Sequence, residues 1–205
     1  MAEKGMNVVY KVHNNLYVNL TNRCSSACTF CLRQTMDSME DSGTLWLDHE
    51  PDMEEVKAAF AKFQVSNYDE IVFCGFCEPT MAFDMLKQTA RYIKDTWQKP
   101  IRLNTNGQGN LINGRDITPE LEGLVDTISI SLNYPGAERY QAIVRSQFGI
   151  ASYQAMLDFV NDAKKYVPHV VLSTVDTILT KEEEDLCRKL CADLGVTYRI
   201  RPFEE

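Results

Sequence analysis

Ile71-Val72-Phe73-Cys74-Gly75-Phe76-Cys77-Glu78-Pro79-Thr80 opens the stretch that decides the architecture. Its first four residues form a short apolar run closed by glycine, the signature of a buried strand. From Met81 to Trp97 the apolar residues return at helical spacing, with Leu86, Ala90 and Ile93 on one side. Ile101-Arg102-Leu103 then reads as a second strand, running into the turn residues Asn104-Thr105-Asn106-Gly107. Strand, helix, strand in such close succession implies a parallel pair joined by a right-handed crossover.

The same alternation extends in both directions. Upstream, Val8-Val9-Tyr10 and Leu16-Tyr17-Val18-Asn19-Leu20 read as two strands turning at His13-Asn14-Asn15, and a helix follows Pro51 with Met53, Val56, Phe60 and Phe63 on one face. Downstream, Thr118-Pro119 suits a helix start, since proline at the first helical position gives up an N–H that has no partner there. Thr127-Ile128-Ser129-Ile130-Ser131-Leu132 and His169-Val170-Val171-Leu172 read as strands, with a helix over 153–167 between them. Thr180-Lys181-Glu182-Glu183 is a capping box opening a helix that Gly195 closes, and 196–201 is the last strand. After the N-terminal strand, six strands alternate with helices. This predicts an α/β fold, a partial (β/α)6 barrel with an extra N-terminal strand, occupying residues 1–205 as one domain. A flavodoxin-like open sheet is the rival; in both, the active face lies at the carboxyl ends of the strands.

Composition narrows the function. The 205 residues carry a net charge of −8, which disfavours broad nucleic-acid binding although a local basic spot at Arg199 and Arg201 remains open. No apolar run approaches the roughly 20 residues that cross a bilayer, and Met1-Ala2-Glu3-Lys4-Gly5 lacks a signal-peptide start, so a cytoplasmic location is expected. Seven cysteines without an export signal read as metal ligands, reactive thiols or core residues rather than disulfides.

Three of them, Cys24, Cys28 and Cys31, fall at C-x3-C-x2-C spacing just past a strand. Thiolates are the usual ligands of iron–sulfur clusters, and a cubane normally takes four. Three leave one iron open to a substrate or cofactor, as catalytic metal sites require. Zinc is the competitor, but it wants four ligands, and the nearest histidines, His13 and His49, stand outside the motif.

The cysteine pattern, with Phe30 before the third cysteine, resembles the signature of the radical S-adenosylmethionine superfamily. The resemblance implies a [4Fe–4S] cluster on Cys24, Cys28 and Cys31 that reductively cleaves S-adenosylmethionine to a 5′-deoxyadenosyl radical, which abstracts hydrogen from a substrate. Gly75-Phe76-Cys77-Glu78-Pro79 is similar to the superfamily's glycine-rich segment ending in Glu-Pro, with Cys77 where glycine is usual. Asn104 and the pair Ser131 and Asn133 resemble the ends of later strands that contact the cofactor. On this resemblance Phe30, Gly75, Cys77, Glu78, Asn104, Ser131 and Asn133 are candidate cofactor contacts. Segments 14–24, Leu45-Trp46-Leu47 with Glu50-Pro51, and Tyr198-Arg199-Ile200-Arg201-Pro202 look like the small TatD-associated members of the superfamily. The implied partners are an unidentified substrate, a small molecule or a protein or peptide, and a low-potential electron donor such as flavodoxin or ferredoxin. The alternative function is a non-catalytic iron–sulfur or zinc module in binding or electron transfer.

The remaining features have two readings each. Cys187 and Cys191, at i and i+4 on one helical face, read as core residues beside Leu186, Leu190 and Leu194; Cys74 reads as packing, whereas Cys77 is a candidate radical-site thiol. Residues 34–49 form either a lid or a surface loop pinned by Trp46. Arg33, Arg199 and Arg201 either bind carboxylates or make surface ion pairs.

Overall fold

A computed structural model describes residues 5–176 and 178–202. The N-terminal stretch read above for targeting therefore lies mostly outside the described residues. Seven strands form one sheet: β1 (Val9–Val12), β2 (Asn15–Val18), β3 (Ile71–Phe73), β4 (Ile101–Thr105), β5 (Thr127–Ser131), β6 (His169–Val175) and β7 (Thr197–Arg201). They lie side by side in chain order, β1 antiparallel to β2 and every later pair parallel. A flavodoxin-like sheet would reverse direction of winding partway, and this one does not. Among the described residues β1 and β7 do not pair, so the sheet stays an open barrel.

Helices cover the convex face: α1 (Met53–Phe60), α2 (Phe83–Trp97), α3 (Gly109–Asn113), α4 (Ala137–Val144), α5 (Ala151–Ala163) and α6 (Lys181–Leu194). The period-2 alternation of each strand decides which residues meet them. Ile71 and Phe73, Ile101 and Leu103, Ile128 and Ile130, Val170 and Leu172 enter the main core. Phe60 is fully buried against the rings of Tyr92 and Trp97, and its truncation to alanine would cost about 3–5 kcal/mol. The intervening residues face the concave side.

Helix ends follow local chemistry. Asp52 and Glu55 form a reciprocal capping box at α1, Thr180 and Glu183 another at α6, and Gly195 ends α6 in the left-handed region at φ +66°. Several expectations need correcting. Thr118-Pro119 opens only a single 3-10 turn, Thr118–Leu121, because the chain turns at Gly123 with φ +69°. The helix expected from Met81 begins as a 3-10 turn at Pro79–Ala82 before α2 proper. The helix expected over 153–167 runs over 151–163, and α3 and α4 precede it without having been anticipated.

Candidate functional site

The three motif cysteines sit on the loop leaving β2, at the carboxyl mouth of the sheet, each half-buried. The loop is shaped from a distance. Ala27 N–H donates to the carbonyl of Val144 at 3.1 Å, Thr29 N–H to Ile143 at 2.9 Å, and Gln147 N–H to Ser25 at 2.9 Å. Ser26 and Ser146 form an isolated antiparallel bridge. The loop is thus stitched to the end of α4, whose helix follows β5.

Gln108 fixes these two segments to β4. Its side chain is fully buried, with Oε1 accepting from the hydroxyls of Ser25 (3.0 Å) and Ser146 (2.8 Å). Its Nε2 donates to the hydroxyls of Ser26 and Tyr140, both at 3.3 Å. Asn106 adds a further donor to Ser25 at 2.9 Å.

Burial pushes the Cys24 thiol up to about 11, with the charge of Glu78 adding to it. Burial, then the neighbouring thiols of Cys31 and Cys24, pushes Cys28 up to about 12. Arg33 opposes both shifts, which places its cation within charge range of the two thiols. Without metal Cys24 and Cys28 are therefore held as protonated thiols, and metal binding must displace their protons.

Glu78 is 2% exposed and its carboxylate is engaged on all sides. Oε1 accepts from Thr80 N–H (3.1 Å), Thr80 Oγ1 (2.7 Å) and Thr105 Oγ1 (2.7 Å); Oε2 accepts from Asn106 N–H (2.7 Å). Its own N–H donates to the carbonyl of Arg23 at 2.9 Å. The residue locks the end of β3 to the end of β4 and to the cysteine loop. Burial raises its pKa, opposed by those hydrogen bonds.

Gly75 lies against Asn19: a Cβ there would come within 2.4 Å of Asn19 Oδ1. Cys77, half-buried, has its thiol pushed well up by burial and then by the neighbouring Cys74, Glu78 and Cys24. Asn104 and Ser131 are half-buried on the concave face at their strand ends. Asn133 is buried in the left-handed region at φ +59°. The Oδ1 atoms of Asn19, Asn104 and Asn133 are buried without a hydrogen-bond partner, three acceptors at the mouth that the protein itself leaves unmet. Phe30 is half-buried and belongs to neither apolar cluster of the described residues.

Residues 34–49 pack against β1 and Phe76, from Asn19 and Asn22 at the end of β2 to His13 in the β1–β2 turn. Trp46 meets the Phe76 ring edge-on at 5.7 Å and donates from Nε1 to Asp37 at 3.0 Å. Asn19 Nδ2 donates to the carbonyl of Leu45 at 2.7 Å, and Asn22 brackets Leu47 with 2.8 and 2.9 Å bonds. Cys187 and Cys191 are buried in the main core with Leu190 and Leu194 against it, as expected, but Leu186 is 55% exposed on the other side of the helix; Cys74 faces the concave side, hydrogen-bonded to the Asn104 side chain. Sequence reasoning missed Gln108 and Arg102; the only signals were a glutamine in a turn rich in Asn and Gly, and a cation inside an apolar strand.

The donors fit an open cluster better than zinc. His13 and His49 are turned to Glu40 and Glu55 instead. Three thiols with unmet acceptors beside them suit a cluster carrying a polar cofactor.

Among curated proteins none matches the sequence. The chain is similar in structure to Streptococcus suis SuiB bound to precursor peptide SuiA, with TM-score 0.68 and 12% identity, covering 97% of this chain and 41% of that one. It is also similar to methylornithine synthase (PylB), TM-score 0.64 at 13% identity over 97% and 55% of the two chains, and to native anSMEcpe with bound AdoMet, TM-score 0.65 at 16% identity over 92% and 51%. The chain thus spans roughly half the length of the structures it matches, and at these identities the likeness establishes the fold. The model of the Radical SAM superfamily matches residues 18–190, from β2 into α6, and the chain belongs to that superfamily.

Proposed function

We propose that the chain is a radical S-adenosylmethionine enzyme with Cys24, Cys28 and Cys31 as the cluster ligands. The observation that carries the reading is the three-thiol loop, held at the carboxyl mouth of an open parallel barrel by buried Gln108. When bound, a reduced [4Fe–4S] cluster supplies the electron that cleaves S-adenosylmethionine to methionine and a 5′-deoxyadenosyl radical, which takes a hydrogen atom from the substrate.

The chain's own residues bind, orient and exclude water. Asn104 and Asn133 offer unpaired carboxamide oxygens to N–H and hydroxyl donors, the groups that the amine and ribose of the cofactor carry. Ser131 adds a hydroxyl on the same face, and Phe30 an apolar surface beside the third cysteine. Glu78, saturated by Thr80, Thr105 and Asn106, sets the backbone of residues 75–77 as the cofactor's edge. Cys77 stands where the superfamily usually has glycine and adds a half-buried thiol to that edge. Residues 34–49, pinned through Trp46 and Phe76, keep solvent from Phe76 at that edge. Orientation and dryness are what such a site must contribute, since the cofactor carries the bond-breaking chemistry.

Within the superfamily we place the chain beside the small TatD-associated proteins, on the segments quoted above. Among the described residues no helix is long and apolar enough to cross a membrane. A cytoplasmic location with a flavodoxin or ferredoxin as donor fits a site that needs a low potential. The test is anaerobic reconstitution with iron and sulfide, reduction, addition of S-adenosylmethionine and assay for 5′-deoxyadenosine. Cleavage lost in Cys28→Ala supports the reading; a fully loaded cluster with neither cofactor binding nor cleavage returns the protein to the binding-module alternative.

A further inference from the structure

We propose that the outer side of the cysteine loop, joined to the turn after α4, is the docking surface for an acidic electron-donor protein of the flavodoxin or ferredoxin kind. The assignment rests on the radical-enzyme reading and says where its electron enters.

The surface is built by the hydrogen bonds that shape the loop. Ala27 and Thr29 donate their N–H groups to the carbonyls of Ile143, Val144 and Arg145 at 2.9 to 3.3 Å, and Gln147 N–H donates to Ser25 at 2.9 Å. Residues 25–29 and 143–147 thus form one continuous strip, and Ala27, Thr29, Arg145 and Gln147 are exposed along it. Ile150, at the end of the same turn, is 54% exposed, one of three large apolar side chains left so open among the described residues. Cys28 stands between exposed Ala27 and Thr29 and packs on the main core, so little more than the loop backbone separates it from this surface. Electron tunnelling falls steeply with distance, which makes the strip a short way in.

Charge selects the partner. Asp and Glu make up 29 of the 205 residues, yet none falls between Glu3 and Asp37 or between Glu138 and Asp158. These are the two stretches that the hydrogen bonds bring together. The acids that bound the second stretch stand two helical turns off, Glu138 before Arg145 on α4 and Asp158 after Ile150 on α5. Arg139 is paired with Glu183, whereas Arg145 makes no ion pair among the described residues. Arg145 holds φ +49°, a left-handed helix end where glycine or asparagine costs less, so a cation is kept there against the backbone preference. A chain of charge −8 repels an acidic protein except where acids are missing and a cation is free, so the strip orients the encounter as well as holding it.

The footprint suits a transient partner, since redox pairs meet over less than about 1,200 Å². The docked donor is oxidised by one electron and the [4Fe–4S] cluster is reduced from its 2+ to its 1+ state, with no atom transferred.

The experiment is calorimetric titration of the cluster-loaded protein, without oxygen or S-adenosylmethionine, with an acidic FMN-loaded flavodoxin and separately with an acidic ferredoxin. Three variants are compared: Arg145→Glu, Gln147→Glu and Lys62→Glu. Lys62 is exposed just past the end of α1, on the rim opposite the cysteine loop. The α4 dipole also favours a cation at Arg145, so Gln147→Glu tests the surface apart from the helix. At an ionic strength of about 25 mM one donor is expected to bind the wild type, each strip variant to weaken it about tenfold or more, and Lys62→Glu to change it less than about twofold. Arg145→Lys should bind as the wild type does. Iron content, melting temperature and reduction by dithionite, which needs no docked partner, should stay unchanged in the strip variants. The assignment is overturned if neither donor binds, if both strip variants bind as the wild type does, or if Lys62→Glu weakens binding as much as they do, which would leave only net charge. Iron content falling together with binding in both strip variants would give these residues to the loop and also overturn it. A short RNA duplex that binds where neither donor does, and is lost in the same variants, would give the strip to a nucleic acid. Failure of the radical-enzyme reading would appear as a wild type that neither binds nor cleaves S-adenosylmethionine, and would leave the donor titration standing.

Discussion

Replacing Gln108 by leucine removes one side chain of similar volume and four hydrogen bonds, and no cavity need open. Ser25 keeps its second donor, Asn106, at 2.9 Å. Ser146, Ser26 and the fully buried hydroxyl of Tyr140 lose the contact and gain no water. A buried polar group left unmet costs about 1–3 kcal/mol. Because the three share one partner their costs do not simply add, and a loss of about 3–6 kcal/mol is expected. That is a large share of the 5–15 kcal/mol typical of a domain. Urea denaturation of the metal-free protein, followed by circular dichroism, reads it as a lower midpoint at unchanged slope. Iron and sulfide per chain after reconstitution should fall with it, since the residues released are those that shape the cysteine loop. A Gln108→Leu protein as stable as the parent and loading as much iron would refute the claim that this glutamine organises the site.

Three further outcomes are expected. Gly75→Ala drives a Cβ into Asn19, whose amide holds the carbonyl of Leu45, so a cost of about 1–3 kcal/mol and earlier protease cleavage within residues 34–49 should follow; an unchanged melting temperature and digestion pattern would count against the contact. Burial holds Cys24 up to about 11 and Cys28 up to about 12, against 9.0 for the free side chain. As pH climbs past 9.0 the unfolded chain gives up these protons and the folded chain keeps them, so stability of the metal-free protein falls, by up to about 2.7 kcal/mol per pH unit for two thiols. Equilibrium unfolding between those limits should show the slope, reduced in Cys28→Ser; a rising stability would contradict it. Trp46→Ala removes the edge contact to Phe76 and the bond to Asp37 and should leave far-ultraviolet dichroism intact while cleavage in residues 34–49 quickens, whereas equal protection would show that Leu45 and Leu47 alone hold the segment.

The strands were legible because each carries its core residues at alternate positions: Ile71 and Phe73, Ile101 and Leu103, Ile128 and Ile130 could face only one layer. The barrel-type strand order was weighed against a reversing one and is what the structure has. α4 escaped because Gly136 precedes it without a side-chain cap, and α3 because it is a single short turn pair closed by Gly114. The cysteine loop announced itself through spacing alone. Its bracing did not: Gln108 meets Ser26 and Tyr140 across 82 and 32 residues, and no local pattern encodes such a meeting. Arg102 was hidden likewise, its environment being set by Glu70 from the start of a different strand.

The stitching of Ser26 to Ser146 has a consequence in time as well as in space. The partner of the cysteine loop lies about 120 residues further along the chain, so a growing polypeptide exposes its three thiols long before the residues that shape them exist. β2 and β3 can dock early, but the loop above them has no fixed form until α4 and the segment after it arrive. On the cluster assignment proposed above, metal capture is expected late in biosynthesis. Chains ending before residue 147 are expected to keep β1 to β5 but lose the contacts that shape the cysteine loop, so cofactor loading would be tied to completion of the scaffold.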